Sequence, residues 1–257
     1  MNKEIGIGIL DIYNNDAFKQ CYSSIPDEYK ESIIVVSNKK QKNSKANKNY
    51  DAQVSFATLR NYLISQLRIK GYKYIFLLNS NVKIKNSDVF NKTIDKAKLF
   101  GTWFMTGPSD EGLTKIEDDD KGISLNLTPS LNTDFIFMYS GIFKNFKFFE
   151  ERYYNTYDFD VIDYITRLRD AKIYPPKHYN PTIDIDDIET QITDVEKINF
   201  KSFNDLRENS DKTLDLTLAY FYYKHKYIPT QNEPKGISEK ELLIFMQSLQ
   251  ESYGDKI

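Results

Sequence analysis

Three short apolar segments, separated by helical patterns, constrain the fold of this chain more than any other feature. They run from Ile5 to Leu10, from Ile33 to Val36 and from Tyr74 to Leu78, and polar residues bound each of them. Runs of this length that are rich in β-branched and aromatic residues are typical of buried strands. Between the second and the third, apolar residues from Phe56 to Leu67 recur at helical spacing. Strands that alternate with helices predict an α/β domain built on a mostly parallel sheet.

The rest of the chain carries patterns that predict further elements. Helices are predicted over residues 87–100, 157–170, 213–225 and 238–253, and strands over residues 103–106 and 135–139. An acidic cluster that ends at Asp120 and is followed by Gly122 predicts the tip of a hairpin. A chain of 257 residues is long enough for one α/β domain with a modest extension. We therefore predict one domain over residues 1–200 and a C-terminal helical extension over residues 201–257.

The last predicted helix has a narrow apolar stripe. Leu242, Phe245 and Leu249 lie at positions i, i+3 and i+7, and Ser238 and Glu241 have the spacing of a capping box. Such a stripe must be buried against something. Folding back onto its own domain is the more common outcome for such a stripe. Because the helix follows the loop from Pro229 to Gly236, we predict instead that it docks on a protein partner or on a second copy of the chain.

Composition excludes several classes of protein. The 35 basic and 37 acidic residues leave a formal net charge of −2, which disfavours a nucleic-acid partner. No apolar run is long enough to cross a bilayer, and the apolar start is too short for a secretory signal. One cysteine and two histidines exclude an internal disulfide and a Cys/His metal cluster. The abundance of Asn, Lys, Ile and Tyr is typical of an AT-rich genome, which is bacterial or viral. The expected location is therefore the cytoplasm or, if the genome is viral, the virion.

Polar residues follow each of the three predicted strands. Residues 11–15 follow the first strand, Ser37 and Asn38 follow the second, and residues 79–81 follow the third. In an open parallel sheet, ligands bind at the carboxyl ends of the strands. The sequence therefore predicts a binding site at this edge, beside a Lys/Asn-rich stretch up to residue 49 that we expect to be a solvated loop.

Four segments in order resemble family 2 of the GT-A glycosyltransferases. The opening strand and turn, Leu10-Asp11-Ile12-Tyr13-Asn14-Asn15, are followed by Ile34-Val35-Val36-Ser37-Asn38, Ala57-Thr58-Leu59-Arg60-Asn61 and Tyr74-Ile75-Phe76-Leu77-Leu78-Asn79-Ser80-Asn81. The resemblance implies a GT-A fold and a nucleotide-sugar donor. The donor-binding residues that it implies are Asp11, Tyr13, Asn38, Arg60, Asn79 and Asn81.

Asn79 and Asn81 stand where this family has its Asp-x-Asp motif, whose carboxylates hold Mg²⁺ or Mn²⁺ against the donor diphosphate. A hard divalent cation prefers anionic oxygen ligands. Amides keep the shape of aspartates without their charge. We therefore expect weak or absent metal binding.

Asp160 to Leu168 is similar to the family's Glu-Asp-x-Asp-x-x-x-Arg-Leu helix, whose first aspartate is the general base of inverting members. Aligned on Arg167, that position is Val161, which cannot accept a proton. One of three nearby carboxylates could substitute for it. The candidate catalytic residues are Asp158, Asp160 and Asp163.

Two functions are consistent with these residues. The first is a catalytically degenerate glycosyltransferase-like protein with a structural or binding role, such as a phage virion component, whose partners are proteins or further copies of the chain. The alternative is an active transferase that uses a UDP-sugar, with Mg²⁺ or Mn²⁺, to modify a sugar or protein hydroxyl.

Overall fold

The structure is a computed structural model. It describes residues 4–13, 15–38, 43–50, 54–109, 111–118, 121–152, 159–176, 179–190, 212–226 and 238–256. The strands are β1 (Ile5–Asp11), β2 (Ile33–Ser37), β3 (Lys48–Asn49), β4 (Tyr74–Asn79), β5 (Val82–Ile84), β6 (Phe104–Gly107), β7 (Thr114–Asp118), β8 (Ile123–Thr128), β9 (Asn132–Tyr139), β10 (Asn180–Thr182) and β11 (Ile188–Thr190). The helices are α1 (Asn15–Ser24), α2 (Phe56–Ile69), α3 (Val89–Phe100), α4 (Phe159–Asp170), α5 (Lys212–His225) and α6 (Glu239–Tyr253).

A nine-stranded sheet in the order β3-β2-β1-β4-β9-β6-β10-β8-β7 forms the centre of the molecule. Strands β3, β2, β1 and β4 are parallel, and β9 inserts antiparallel between β4 and β6. The three apolar segments of the sequence are the adjacent buried strands β2, β1 and β4, so the predicted α/β architecture is confirmed. The predicted hairpin is confirmed as β7 and β8. A second, two-stranded sheet of β5 and β11 was not predicted.

Helix α2 packs closely on β1 because glycines in the strand leave room for it. A Cβ placed on Gly8 would lie 3.0 Å from the Leu63 Cδ1 atom, and one on Gly6 would lie 2.9 Å from the Leu67 Cδ2 atom. Ser55 caps this helix by accepting a hydrogen bond from the Thr58 amide. The close packing fixes the start of α2 beside the ends of β1 and β2.

Helix α6 packs on its own domain, against α3, so the prediction that its apolar stripe docks elsewhere is wrong. Leu242, Met246 and Leu249 are fully or almost fully buried in the common core, and Phe245 is half-buried. The buried stripe follows i, i+4 and i+7, which is the ordinary spacing of a helix that lies on a globular core. The predicted capping box at Ser238 is present.

The predicted boundary between residues 200 and 201 lies outside the described residues, as does part of the acidic hairpin tip, Asp119 and Asp120. No helix in the described part of the chain is both long and apolar enough to cross a membrane.

Candidate functional site

The register of the parallel strands brings the predicted polar residues to one edge of the sheet. Asp11 pairs with Ser37 across β1 and β2, and Leu10 pairs with Asn79 across β1 and β4. Asp11 and Ser37 are fully buried, and Asn79 is almost so. These side chains therefore lie together at the carboxyl ends of the strands, where the sequence predicts a binding site.

Two neutral donors among the described residues bind the Asp11 carboxylate. Its Oδ2 atom accepts hydrogen bonds from Ser37 Oγ at 3.2 Å and from Asn43 Nδ2 at 2.7 Å. Asn43 belongs to the stretch that we expected to be a solvated loop, and it is half-buried instead. Asn43 thus supplies one of the hydrogen-bond donors that a buried carboxylate requires.

Hydrogen bonds from Asn38 and Tyr13 connect the ends of β2 and β1 to neighbouring segments. The Asn38 side chain donates to the Val54 carbonyl at 3.4 Å, just before α2. The Tyr13 amide donates to Ser80 Oγ at 3.2 Å, and the Ser80 amide donates to the Leu10 carbonyl at 2.9 Å. Ser80 thus joins the ends of β1 and β4.

Asn79 and Asn81 share one buried carboxylate. Asn79 Nδ2 donates to Asp134 Oδ1 at 2.8 Å, and Asn81 Nδ2 donates to Asp134 Oδ2 at 3.3 Å. All three side chains are at most 5% exposed. Asp134 reaches this place because β9 runs antiparallel to β4, with Leu78 opposite Phe135. Both carboxylate oxygens are therefore engaged by amide N–H groups.

Arg60 and Asp160 form a buried ion pair between α2 and α4. Arg60 Nη1 lies 2.6 Å from one Asp160 oxygen and 2.8 Å from the other. Arg60 is 1% exposed and Asp160 is 3% exposed. Val161, which occupies the position of the family's base, is fully buried in the core.

Asp163 lies one turn further along α4 and binds three basic side chains. Arg167 Nε lies 3.0 Å away, and Lys224 and His225 on α5 reach the other oxygen at 2.5 and 2.7 Å. Burial raises the pKa of Asp163, but the hydrogen bonds from His225 and Lys224 and the positive charges of Lys224 and Arg167 outweigh it. The pKa of this carboxyl is therefore below its ordinary value. The third candidate, Asp158, lies outside the described residues.

No family model matches the sequence, and no curated protein matches it either. Among solved structures, GalNAc-T7 with UDP, GalNAc and Mn²⁺ superposes with a TM-score of 0.51 at 9% identity, over 95% of this chain and 55% of that chain. The fold is GT-A. This GT-A chain thus spans about half the length of GalNAc-T7.

Two further glycosyltransferases align with the GT-A chain at lower scores. The mannosyltransferase PcManGT from Pyrobaculum calidifontis, in complex with GDP-Man and Mn²⁺, has a TM-score of 0.47 at 10% identity, over 96% of this chain and 69% of that one. TarS from S. aureus, in complex with UDP-GlcNAc, has a TM-score of 0.44 at 10% identity, over 95% and 71%.

The GT-A fold places five of the predicted donor-binding residues at or next to the strand ends. The sixth, Arg60, is in the buried ion pair with Asp160. Ser80 was predicted at this edge only as part of residues 79–81, and the contacts that Asn43 and Asp134 make with Asp11 and the two asparagines were not predicted. Ser80 lies between the two asparagines and was visible as part of their turn. Asp134 lies in β9, and no local pattern in the sequence indicates that β9 pairs with β4.

A divalent cation does not fit this donor set. The described residues contain no group of three or more His, Cys, Asp or Glu side chains that could hold a metal ion. At the Asp-x-Asp position the single carboxylate of Asp134 already accepts two amide N–H groups. A cation would have to displace both amide groups from Asp134, and this carboxylate would be its only anionic ligand at that position.

Proposed function

We propose that this chain is a glycosyltransferase-like protein that has lost metal-dependent sugar transfer and serves a binding or structural role. The observation that carries the proposal is the pairing of Asn79 and Asn81 with Asp134. In this arrangement the position that would bind the metal is closed by internal hydrogen bonds. Sugar transfer that depends on Mg²⁺ or Mn²⁺ would therefore lack its Lewis-acid cation at this position.

The state of the carboxylates on α4 supports the same proposal. A general base must accept a proton from the acceptor hydroxyl near neutral pH. Asp160 is engaged by Arg60 in the protein interior, and Asp163 is surrounded by basic groups that lower its pKa. Both effects weaken these groups as bases. Val161 supplies no replacement.

The strand ends carry a cluster of polar side chains. Hydroxyl, amide and carboxylate groups from β1, β2 and β4 converge there, and they are suited to the hydroxyls of a nucleoside or a sugar. GalNAc-T7 was solved with UDP and Mn²⁺. For this chain we infer that any binding of a nucleotide sugar proceeds without the metal. A location in the cytoplasm or in a virion stays a prediction.

Calorimetry with UDP tests the loss of metal dependence. UDP is titrated into the full chain in EDTA and, separately, in Mn²⁺. Where UDP binding is measurable, we expect Mn²⁺ to change its dissociation constant by less than about twofold. Where UDP does not bind in EDTA, we expect no binding in Mn²⁺ either. Tightening by more than about tenfold, abolished by Asn79→Ala, would overturn the proposal.

Release of UDP from UDP-GlcNAc and UDP-Gal tests the loss of transfer. We expect the chain with Mn²⁺ and a panel of sugar acceptors to release no more UDP than a protein-free control. Release that requires Asp160 or Asp163, shown with the Asp→Asn variants at normal folded content, would favour the active transferase instead.

A further inference from the structure

A groove of about 950 Å³ lies on the outer face of α2 and α4, outside the site at the strand ends. Its walls come from the segment of residues 143–151 that follows β9, from the last turn of α4 and from Lys224 of α5. Asp160, in the first turn of α4, binds Arg60, whereas the groove reaches Arg167 and Asp170 near the other end of that helix. None of the strand-end residues described above lines it.

The floor of the groove is held rigidly from both sides. Asn61 on α2 donates to the Phe149 carbonyl and accepts from the Phe149 amide, both at 2.9 Å. Arg167 on α4 donates to the carbonyls of Lys147 and Phe148 at 3.1 and 3.0 Å. A surface that is already ordered binds a ligand without a further entropic cost of ordering.

Aromatic rings provide the apolar part of this floor. Phe146 and Phe148 are half-buried, so part of each side chain is accessible to solvent. Phe148 is fixed edge-on to Phe143, with 5.2 Å between ring centroids, and the Arg68 guanidinium lies 5.7 Å from its centroid. Fixed rings of this kind offer flat apolar faces at little conformational cost.

The charges around the groove balance. Among the residues that the structure describes, three acidic and three basic side chains line it, which are Glu150, Glu151, Asp170, Lys147, Arg167 and Lys224. The hydrogen bond from the Arg152 side chain lowers the pKa of Glu150 to about 2, so this group is an ionised acceptor at neutral pH. The balance gives a strongly charged ligand no net attraction. Arg167, Lys224, Glu150 and Glu151 already make hydrogen bonds within the protein, and the second lone pairs of the carboxylate oxygens remain as acceptors at the rim.

We propose that this groove binds a neutral oligosaccharide. A pyranose ring presents an apolar C–H face to an aromatic ring and hydroxyls at its edge, which matches an aromatic floor with a polar, charge-balanced rim. The volume is at the upper end of the range of about 300–1,000 Å³ that small-molecule sites occupy, enough for a few sugar units. The inference is independent of the proposed function, because it uses none of the strand-end residues.

Saturation-transfer NMR and calorimetry on the full chain test this inference. The probes are maltotetraose, cellotetraose and chitotetraose, with a heparin tetrasaccharide as the charged comparison. We expect saturable binding of at least one neutral probe at concentrations up to about 10 mM, and no tighter binding of heparin. Phe146→Ala and Phe148→Ala should each weaken that binding by about tenfold or more.

Tyr223→Ala is the matched control, because it removes an aromatic ring that is 73% exposed and that does not line the groove. It should leave oligosaccharide binding unchanged. Circular dichroism of each variant checks that the fold is kept. Absence of saturable binding of every neutral probe would overturn the inference. Oligosaccharide binding that survives both Phe→Ala variants would also overturn it. So would a dimer in light scattering that Phe148→Ala dissociates, because a second copy of the chain would then cover the groove.

Discussion

The side-chain amides of Asn79 and Asn81 both donate to the Asp134 carboxylate. Substitutions at these two residues therefore test whether the amides prevent metal binding. Replacing both by aspartate would surround Asp134 with two more carboxylates at hydrogen-bonding distance. Three anionic groups form the donor set that Mn²⁺ prefers. The backbone at the end of β4 needs no change for this conversion.

We predict that Asn79→Asp combined with Asn81→Asp creates Mn²⁺ binding. Without metal, repulsion among the carboxylates should lower the free energy of unfolding by about 2 kcal/mol, and saturating Mn²⁺ should restore it. Urea denaturation with and without Mn²⁺ measures both effects.

Asn86→Asp is the control for that variant, because Asn86 Nδ2 also donates to a carboxylate, Asp187, at 2.8 Å. It creates a single carboxylate pair away from the strand ends. No stabilisation by Mn²⁺ is expected for it. If Mn²⁺ stabilised the control as much as the double variant, the stabilisation would not come from a site at the strand ends, and the prediction would be wrong.

At the scale of elements, Asp163 attaches α5 to α4. The carboxylate is fully buried and binds Lys224 and His225 of α5 together with Arg167 of its own helix. Removing the charge would leave partly buried cations without their anion, which costs about 3 kcal/mol or more. Asp163→Asn should therefore destabilise the chain at neutral pH.

The same carboxylate predicts a pH dependence. Its pKa is lower in the folded protein than the ordinary value of 3.8, so its contribution is fully present above about pH 4 to 5 and is lost as the pH falls through the folded pKa. The difference in unfolding free energy between the wild type and Asp163→Asn should shrink below about pH 4. Urea titrations at several pH values measure it. A difference that stays constant down to pH 3 would contradict this assignment.

The contact of α6 with α3 depends on a glycine. Gly101 ends α3 with a φ of 64°, and a Cβ there would lie 2.2 Å from the backbone oxygen of Leu249 in α6. Gly71 ends α2 with a φ of 84° and has open space around it. The two positions share the backbone strain that alanine would suffer, and they differ in the clash with α6.

Gly101→Ala should therefore cost more stability than Gly71→Ala. The strain at positive φ costs about 1 kcal/mol at either site, and the displacement of α6 adds about 1 to 3 kcal/mol at Gly101. Urea denaturation of the two variants gives the difference directly. Equal losses would mean that α6 does not pack at this place.

At the scale of the whole molecule, the only cysteine reports on opening of the core. Cys21 is fully buried, and its Sγ atom lies 3.8 Å from the Asn79 carbonyl, beneath the strand ends. Burial, followed by the negative charge of Asp11, raises the pKa of this thiol to about 12. The reactive thiolate is therefore scarce and shielded at neutral pH.

We predict that a thiol reagent labels Cys21 only through unfolding. In native buffer at pH 8 the reaction should be slower than in 6 M urea by at least about a thousandfold, because only the open fraction reacts. The urea-unfolded chain, which should take up one equivalent of reagent, is the control. Rapid labelling in native buffer would show that the strand ends open locally.

Much of the fold follows from local patterns. The strands β1, β2 and β4 and the helices α2, α3 and α4 were recognised because periodicity and capping act within a few residues. The neutral amides Asn79 and Asn81 could be read directly from the chain. The predicted donor-binding edge also followed from the parallel order of the first three strands.

Other features were decided only by tertiary contacts. The antiparallel insertion of β9 beside β4 brings Asp134 to Asn79 and Asn81. A separate contact between α2 and α4 pairs Arg60 with Asp160. The stripe of α6 was correctly read as apolar, but the sequence does not specify what covers it. Partners far apart in the chain are selected by which surfaces meet in the folded state, and hydrophobic periodicity indicates only that a face is buried.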